Sequence, residues 1–146
     1  MITPNGLITL KRMNGKIDSD KYIAMLQSFA VPIMNLNMEP RYYFIQDNAP
    51  VHVSQKTKKY FETQPFRCLE WPARSPDLNL MENAWKMISD LVYKDKQPQN
   101  TNELEAKISE AVLHINNNKT DITRRLFATF SERLTKLLIC KGNILN

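Results

Sequence analysis

The sequence lacks the features that would assign it to several large classes of protein. Its longest apolar stretch, Leu134–Cys140, is interrupted by Thr135 and Lys136, and it falls well short of the roughly 18 residues of a membrane-spanning helix. The N-terminus has neither the charged start nor the apolar core of a signal peptide, so we expect an intracellular protein without a membrane partner. Two isolated cysteines, Cys68 and Cys140, exclude a disulfide framework and a cysteine zinc site, and both are expected to be small buried side chains.

The length and charge of the chain limit its organisation. A chain of 146 residues without an internal repeat is expected to form one domain, residues 1–146. The net charge of +5 arises mainly from residues 41–74 and 119–146. Clustered basic side chains suit the phosphates of a nucleic acid, but they are equally typical of a solvated helix face, and both interpretations stay open. The candidate DNA-binding residues are Lys56, Lys58, Lys59, Arg124 and Arg125.

The first third of the chain is predicted to contain a strand and a helix. Residues 7–13 resemble a strand that ends in a turn at Asn14–Gly15. Short polar side chains at residues 18–20 are typical of a helix start. The apolar stripe that follows predicts a helix facing a core, and Pro32 is expected to bend or end it. The members of this stripe are Tyr22, Ile23, Leu26, Phe29, Ala30 and Ile33.

A strand, a helix and a second strand are predicted next. Residues 41–46 are rich in strand-forming side chains with little polar alternation, which is typical of a strand covered on both faces. A helix over residues 54–63 and a strand over residues 66–71 follow. This order predicts parallel neighbouring strands joined by a right-handed crossover.

Helices are predicted for the rest of the chain. They span residues 79–94, 101–115 and 121–141, and Gly142 is placed to end the last one. A break at Phe130–Ser131 that splits this last helix is the alternative. The expected inward face of the helix over residues 79–94 includes Trp85. Trp71 and Trp85 are both expected to be packing anchors, and stacking on nucleic-acid bases is the alternative.

Two carboxylates are candidate site residues. Asp47 follows the C-terminal end of a predicted buried strand, where α/β proteins bind ligands, although an Asp-Asn-x-Pro turn also forms for purely local reasons. Glu82 has equally specific structural explanations: it completes a capping box with Asn79, and it precedes Lys86 by four residues, as in a helix ion pair. Neither residue identifies a site by itself.

The segments around both acids carry a recognisable pattern. Residues 46–52 read Gln-Asp-Asn-Ala-Pro-Val-His, and residues 71–85 read Trp-Pro-Ala-Arg-Ser-Pro-Asp-Leu-Asn-Leu-Met-Glu-Asn-Ala-Trp. This resembles the Tc1/mariner family of DNA transposases, whose catalytic domains carry QDNAPxH and WPxxSPDLNPxENxW segments with the same 34 residues between the two acids. One position departs from the pattern, because Leu80 stands where the family usually has proline.

The resemblance implies an α/β fold, an RNase H-like mixed sheet flanked by helices, with a helical C-terminal part. It also implies a DDE site in which three carboxylates hold two Mg²⁺ or Mn²⁺ ions for DNA strand cleavage and transfer. Asp47 and Glu82 would be the second and third acids, both catalytic and both metal ligands, with Asn48, His52 and Asn83 in support. Hard divalent cations do prefer carboxylate oxygens. DNA and the nucleus are the implied partner and location, and a second copy of the chain stays open as a partner.

The first acid of such a site is not found before Asp47. The acids upstream, Asp18, Asp20 and Glu39, belong to a helix cap and a loop. We therefore expect an N-terminally truncated catalytic domain that lacks its first strand or strands and has impaired activity. Two alternatives stay open: a non-catalytic DNA-binding or protein-interaction remnant of a transposase, and a remnant that does not fold stably.

Overall fold

The computed structural model describes residues 1–37, 43–72, 75, 78–130, 132, 133 and 135. Over these residues the chain is mostly helical and contains a small two-stranded sheet. It divides into two compact units, one comprising residues 1–10 and 76–146 and the other residues 11–75. No helix in the described part of the chain is long and apolar enough to span a membrane.

The unit of residues 11–75 begins with a helical segment at the predicted position. Asp18 caps it, because its side chain accepts a hydrogen bond of 2.9 Å from the amide of Lys21. The buried stripe consists of residues spaced by four, namely Tyr22, Leu26, Ala30 and Met34. The segment is built from helix α1 (Ser19–Met25), a π-helical turn (Leu26–Ala30) and helix α2 (Val31–Asn37).

This helical segment does not end at Pro32. A proline ring inside an α-helix would clash with the carbonyl four residues earlier. Here the π turn comes directly before the proline, and the amide of Val31 donates to the carbonyl of Leu26, five residues back. The wider turn makes room for the ring, so the helix continues to Asn37.

The predicted strand–helix–strand unit is confirmed. Strand β1 (Tyr43–Phe44) pairs in parallel with strand β2 (Arg67–Cys68), and helix α3 (Gln55–Glu62) connects them. Both strands are shorter than predicted, and residues 41 and 42 lie outside the described part. The handedness of the crossover stays a prediction.

The prediction that β1 is covered on both faces is wrong for its described residues. The side chain of Phe44 stacks on Phe61 of α3 with ring centroids 5.5 Å apart, so one face is covered. Tyr43 and Ile45 point to the other face and are 50% and 39% exposed. A strand against which only one layer packs keeps one solvent-accessible face. The apolar run over residues 41–46 did not distinguish a strand covered on one face from a strand covered on both.

The unit of residues 1–10 and 76–146 is a helical core closed by the N-terminus. Its helices are α4 (Leu80–Val92), α5 (Thr101–Asn118) and α6 (Thr120–Ala128). The long helix predicted over residues 121–141 is interrupted after Ala128: Thr129 is a turn residue, and the described residues that follow are helical again. The alternative of a split helix is therefore correct, with the break one to two residues earlier than predicted, and Gly142 lies outside the described residues. Trp85 is 47% exposed, so its predicted role as a packing anchor is wrong: the buried face of α4 follows Leu80, Ala84, Ile88 and Val92 at four-residue spacing.

The strand predicted over residues 7–13 does not form. Ile8 makes an isolated antiparallel bridge with Ile2. The amide and the carbonyl of Ile8 itself point away from Ile2, toward α5. There the side chain of Asn116 in α5 accepts from the Ile8 amide and donates to the Ile8 carbonyl, both at 2.9 Å. A side-chain amide thus takes the place that a neighbouring strand would occupy.

The turn before Ile8 depends on glycine. Gly6 has a φ of +84°, and the hydroxyl of Thr123 in α6 donates to its carbonyl. A Cβ at this position would lie 2.5 Å from the Thr123 Oγ1 and 2.6 Å from the Thr120 carbonyl oxygen. The N-terminal turn and α6 therefore pack as closely as a residue without a side chain permits.

Candidate functional site

The Asp47 carboxylate lies in the loop that follows β1. Its Oδ1 accepts hydrogen bonds from the Ala49 amide at 3.0 Å and from Nδ1 of His52 at 2.6 Å. A carboxylate can only accept, so the His52 proton is assigned to Nδ1. The Asp47 side chain is 60% exposed, which leaves its second oxygen, Oδ2, open to a ligand.

Opposing effects set the pKa of Asp47. Desolvation by partial burial raises it, while hydrogen bonds from the Ala49 amide and from His52, together with the charge of His52, lower it. The hydrogen bonds and the charge prevail, so the pKa lies below its ordinary value of 3.8. Asp47 is therefore an anion at neutral pH, as a metal ligand must be.

This shift predicts an acid-dependent loss of stability. Because the folded-state pKa is lowered, the interactions of Asp47 stabilise the fold at pH values above the unfolded-state pKa and are lost as pH falls through the folded-state pKa. Urea unfolding midpoints measured from about pH 5 down to pH 3 should therefore fall more steeply for the wild type than for Asp47→Asn. Asp95→Asn is the matched control, since that exposed carboxylate makes no hydrogen bond with any described residue. Parallel profiles for wild type and Asp47→Asn would contradict the prediction.

A buried tyrosine supports the Asp47 loop. The Tyr22 hydroxyl donates to Oε1 of Gln46 at 2.5 Å, and Nε2 of Gln46 donates to the His52 carbonyl at 3.2 Å. The Tyr22 ring also packs on the His52 ring, with centroids 4.4 Å apart. In the sequence, Tyr22 belongs only to an apolar helix stripe, and Gln46 belongs to the motif without a predicted role.

Asn48 connects this loop to the end of β2. Its Nδ2 donates to the carbonyl of Trp71 at 2.8 Å. The two motif segments of this unit, at residues 46–52 and at Trp71, are thereby held together by the Asn48 side chain. The bond fixes the backbone beside Asp47, which is consistent with a supporting role.

Glu82 lies in the first turn of α4 and its carboxylate is exposed. Neither structural explanation for it holds. The Asn79 side chain accepts from the amide of Met81 at 3.0 Å. The return bond of a capping box, in which the Glu82 carboxylate would accept from the Asn79 amide, is not made. Lys86 pairs with Asp90 at 3.9 Å instead of with Glu82. Among the residues the structure describes, the Glu82 carboxylate has no hydrogen-bond or ion-pair partner.

Asn83 is held by a residue distant in sequence. Its Oδ1 accepts a hydrogen bond of 3.0 Å from Nη1 of Arg133. This contact ties the first turns of α4, which carry Glu82, to the segment after α6. The Asn83 side chain therefore bonds to Arg133 and not to Glu82.

The five candidate DNA-binding residues divide into two groups. Lys56 forms an ion pair with Asp20, and Arg124 donates from Nε to the Asn5 carbonyl at 2.9 Å, with Asp121 3.5 Å from its Nη1. These two contribute to the fold. The side chains of the other three are exposed and make no hydrogen bond or ion pair with another described residue: Lys58, Lys59 and Arg125.

The donor chemistry of the two acids fits a hard divalent cation. Asp47 offers an exposed carboxylate oxygen, and Glu82 offers a carboxylate with no described partner. Within the described ranges no group of three or more His, Cys, Asp or Glu side chains is arranged to hold a metal ion. The described residues thus provide individual carboxylate ligands of the type that Mg²⁺ or Mn²⁺ prefers.

Comparison with known proteins adds the family context. Residues 1–105 match a DDE superfamily endonuclease family. The chain is 30% identical to the transposable element Tc3 transposase of Caenorhabditis elegans over 95% of its own length and 42% of that protein. It is 32% identical to the Tcb1 transposase of Caenorhabditis briggsae over 91% of its length and 47% of that protein. The chain therefore spans less than half the length of these curated relatives.

Proposed function

The chain belongs to the DDE superfamily endonuclease family and is related to Tc1-family transposases, and from this premise we propose that it is part of an enzyme that cleaves DNA strands and joins them to new sites. The family match over residues 1–105 carries this proposal. DNA is the proposed substrate and partner, and the nucleus is the proposed location. An RNase H-like domain is the proposed fold, supported by the parallel β1–α3–β2 unit with Asp47 in the loop that follows β1.

Asp47 and Glu82 are the proposed metal ligands. Each is an exposed carboxylate with an oxygen available, which is the donor that Mg²⁺ and Mn²⁺ select. Bound metal ions would activate an attacking water or 3′-hydroxyl and stabilise the departing oxygen. The chain itself contributes carboxylate ligands and fixes the orientation of one of them: His52 and Ala49 hold Asp47, and Asn48 holds the loop that carries it.

Manganese broadening of NMR signals tests these ligands. Added Mn²⁺ should broaden the backbone signals of Ala49 and Asn83, which neighbour the two acids, more than those of other exposed residues. Asp47→Asn should remove the effect at Ala49, and Glu82→Gln should remove it at Asn83. Glu110→Gln, an exposed glutamate on α5, should change neither. Broadening that is unaffected by both site variants would refute the assignment.

Strand cleavage by this chain alone is expected to be weak. A DDE site uses three carboxylates, and two have been assigned in residues 1–146. Supercoiled plasmid incubated with the chain and Mg²⁺ or Mn²⁺ should therefore remain largely intact. Robust nicking that Asp47→Ala abolishes would show that the chain has full catalytic capacity and that its impairment is a wrong expectation.

A non-catalytic DNA-binding role is the second candidate function. The basic side chains of Lys58, Lys59 and Arg125 favour it, because they are exposed and have no partner among the described residues, and such groups can neutralise phosphates. Binding of random-sequence duplex should weaken with added salt, fall with Arg125→Ala, and survive Asp47→Asn combined with Glu82→Gln. Arg124 is unsuitable for this test, since its removal also breaks the contact with Asn5. Salt-independent binding, or binding that Arg125→Ala leaves unchanged, would count against this role.

A further inference from the structure

Tyr22 connects to the Asp47 loop by two different contacts. It belongs to α1 and is only 6% exposed, far from Asp47 in sequence. Its hydroxyl bonds to Gln46, the residue before Asp47, and its ring packs on His52, the residue that bonds to the Asp47 carboxylate. Gln46 in turn donates to the His52 carbonyl. Tyr22 thus constrains both the backbone and the ring of His52.

The Asp47 side chain needs such support because little packs against it. A side chain that is 60% exposed keeps its rotamer only through its hydrogen bonds. Both described bonds reach the same oxygen, Oδ1, from the Ala49 amide and from Nδ1 of His52. A fixed His52 ring therefore directs the free oxygen, Oδ2, to one position.

A second tyrosine with a buried hydroxyl provides the contrast. The Tyr60 hydroxyl is also buried, yet it has no hydrogen-bond partner among the described residues. Replacing it with phenylalanine removes a hydroxyl without removing a bond. Tyr60→Phe is therefore a matched control for Tyr22→Phe, which removes the hydroxyl that holds Gln46.

We propose that Tyr22 is a positioning residue for the Asp47 carboxylate, acting through Gln46 and His52. The proposal rests on the proposed function, in which Asp47 binds a divalent metal ion. Tyr22 does not touch the metal or the DNA. It keeps the His52 Nδ1–H against Oδ1, so that Oδ2 is presented to the ligand without the entropic cost of ordering a mobile side chain.

Nitrogen NMR of the His52 ring tests the inference without metal. In the wild type at a fixed pH, Nδ1 should be the protonated ring nitrogen. Tyr22→Phe keeps the aromatic ring but removes the hydroxyl that holds Gln46 against the His52 carbonyl. It should therefore increase the population protonated at Nε2, because the His52 ring is less constrained. Tyr60→Phe should leave this population at the wild-type value. Gln46→Ala should reproduce the change and serves if Tyr22→Phe does not fold. An unchanged His52 ring in Tyr22→Phe and Gln46→Ala would overturn the inference.

Manganese binding separates this inference from the proposed function. Tyr22→Phe should weaken Mn²⁺ binding about threefold to tenfold. This is less than the loss of about tenfold to hundredfold that is typical when a residue bonded directly to a metal ligand is replaced. In the Asp47→Asn background the same substitution should have no further effect, which a general loss of stability would not explain. If Asp47→Asn itself leaves Mn²⁺ binding unchanged, the metal assignment fails, and the His52 signals still decide the role of Tyr22. If binding depends on Asp47 but not on Tyr22, only the role of Tyr22 is overturned.

Discussion

Replacing Gly6 with alanine is expected to lower the free energy of unfolding by about 2–5 kcal/mol. A positive φ accounts for about 1–2 kcal/mol, because the Cβ of an L-residue crowds the following carbonyl oxygen there. The rest comes from overpacking, since the new methyl group would meet the Thr120 carbonyl oxygen at 2.6 Å. That oxygen belongs to the backbone at the start of α6, so it cannot rotate away as a side chain could.

Gly15→Ala isolates the steric part of this effect. Gly15 has a φ of +70°, close to that of Gly6, but the nearest atom to its added Cβ is Nζ of Lys21 at 4.0 Å. This variant should therefore lose only the conformational part, about 1–2 kcal/mol. Urea unfolding of both variants measures the difference. Equal losses at the two positions would show that α6 does not pack against the Gly6 turn as closely as described.

Asn116→Ala is expected to lower the free energy of unfolding by about 2–4 kcal/mol. Its side chain is the partner of both the amide and the carbonyl of Ile8, whose side chain is fully buried. Leaving a buried polar group without its partner costs about 1–3 kcal/mol. The substitution therefore releases the N-terminal segment from α5 as well as removing two hydrogen bonds.

The neighbouring residue provides the control for Asn116. Asn117 is on the same helix and is exposed, and it makes no side-chain hydrogen bond with the described residues. Asn117→Ala should keep or slightly raise the urea midpoint, because alanine has the higher helix propensity and no described side-chain hydrogen bond is lost. Asn116→Ala carries the same gain in propensity, so the difference between the two variants reports the contact with Ile8. If the two alanine variants had the same midpoint, the Asn116 side chain would not be the partner of Ile8.

Features of the fold that depend on residues close together in the sequence were predictable from the sequence. The helix starts at Asp18, Ser54 and Asn79 follow from short polar side chains that accept the first free amides, and all three caps are present. The strand over residues 7–13 failed because the partner of Ile8 is a side chain 108 residues away. No local pattern distinguishes that partner from a strand.

The same distinction applies to the candidate site. Asp47 and His52 are five residues apart in one motif, and the structure brings their side chains into contact. Tyr22 escaped notice because an aromatic residue in an apolar helix stripe is typical of a core, and its hydroxyl bond depends on how α1 packs. Apart from the family resemblance, the sequence could not distinguish a role for Glu82, because a capping box and a helix ion pair both explained it. The structure shows that neither is made.

The placement of the two tryptophans has a practical consequence. Trp71 lies in the unit of residues 11–75, and Trp85 lies in the unit of residues 1–10 and 76–146. Each unit therefore carries its own intrinsic fluorophore, and a Trp71→Phe or Trp85→Phe variant emits from one unit alone. If residues 1–146 form the single domain that the sequence predicts, the fluorescence unfolding curves of the two variants should superimpose.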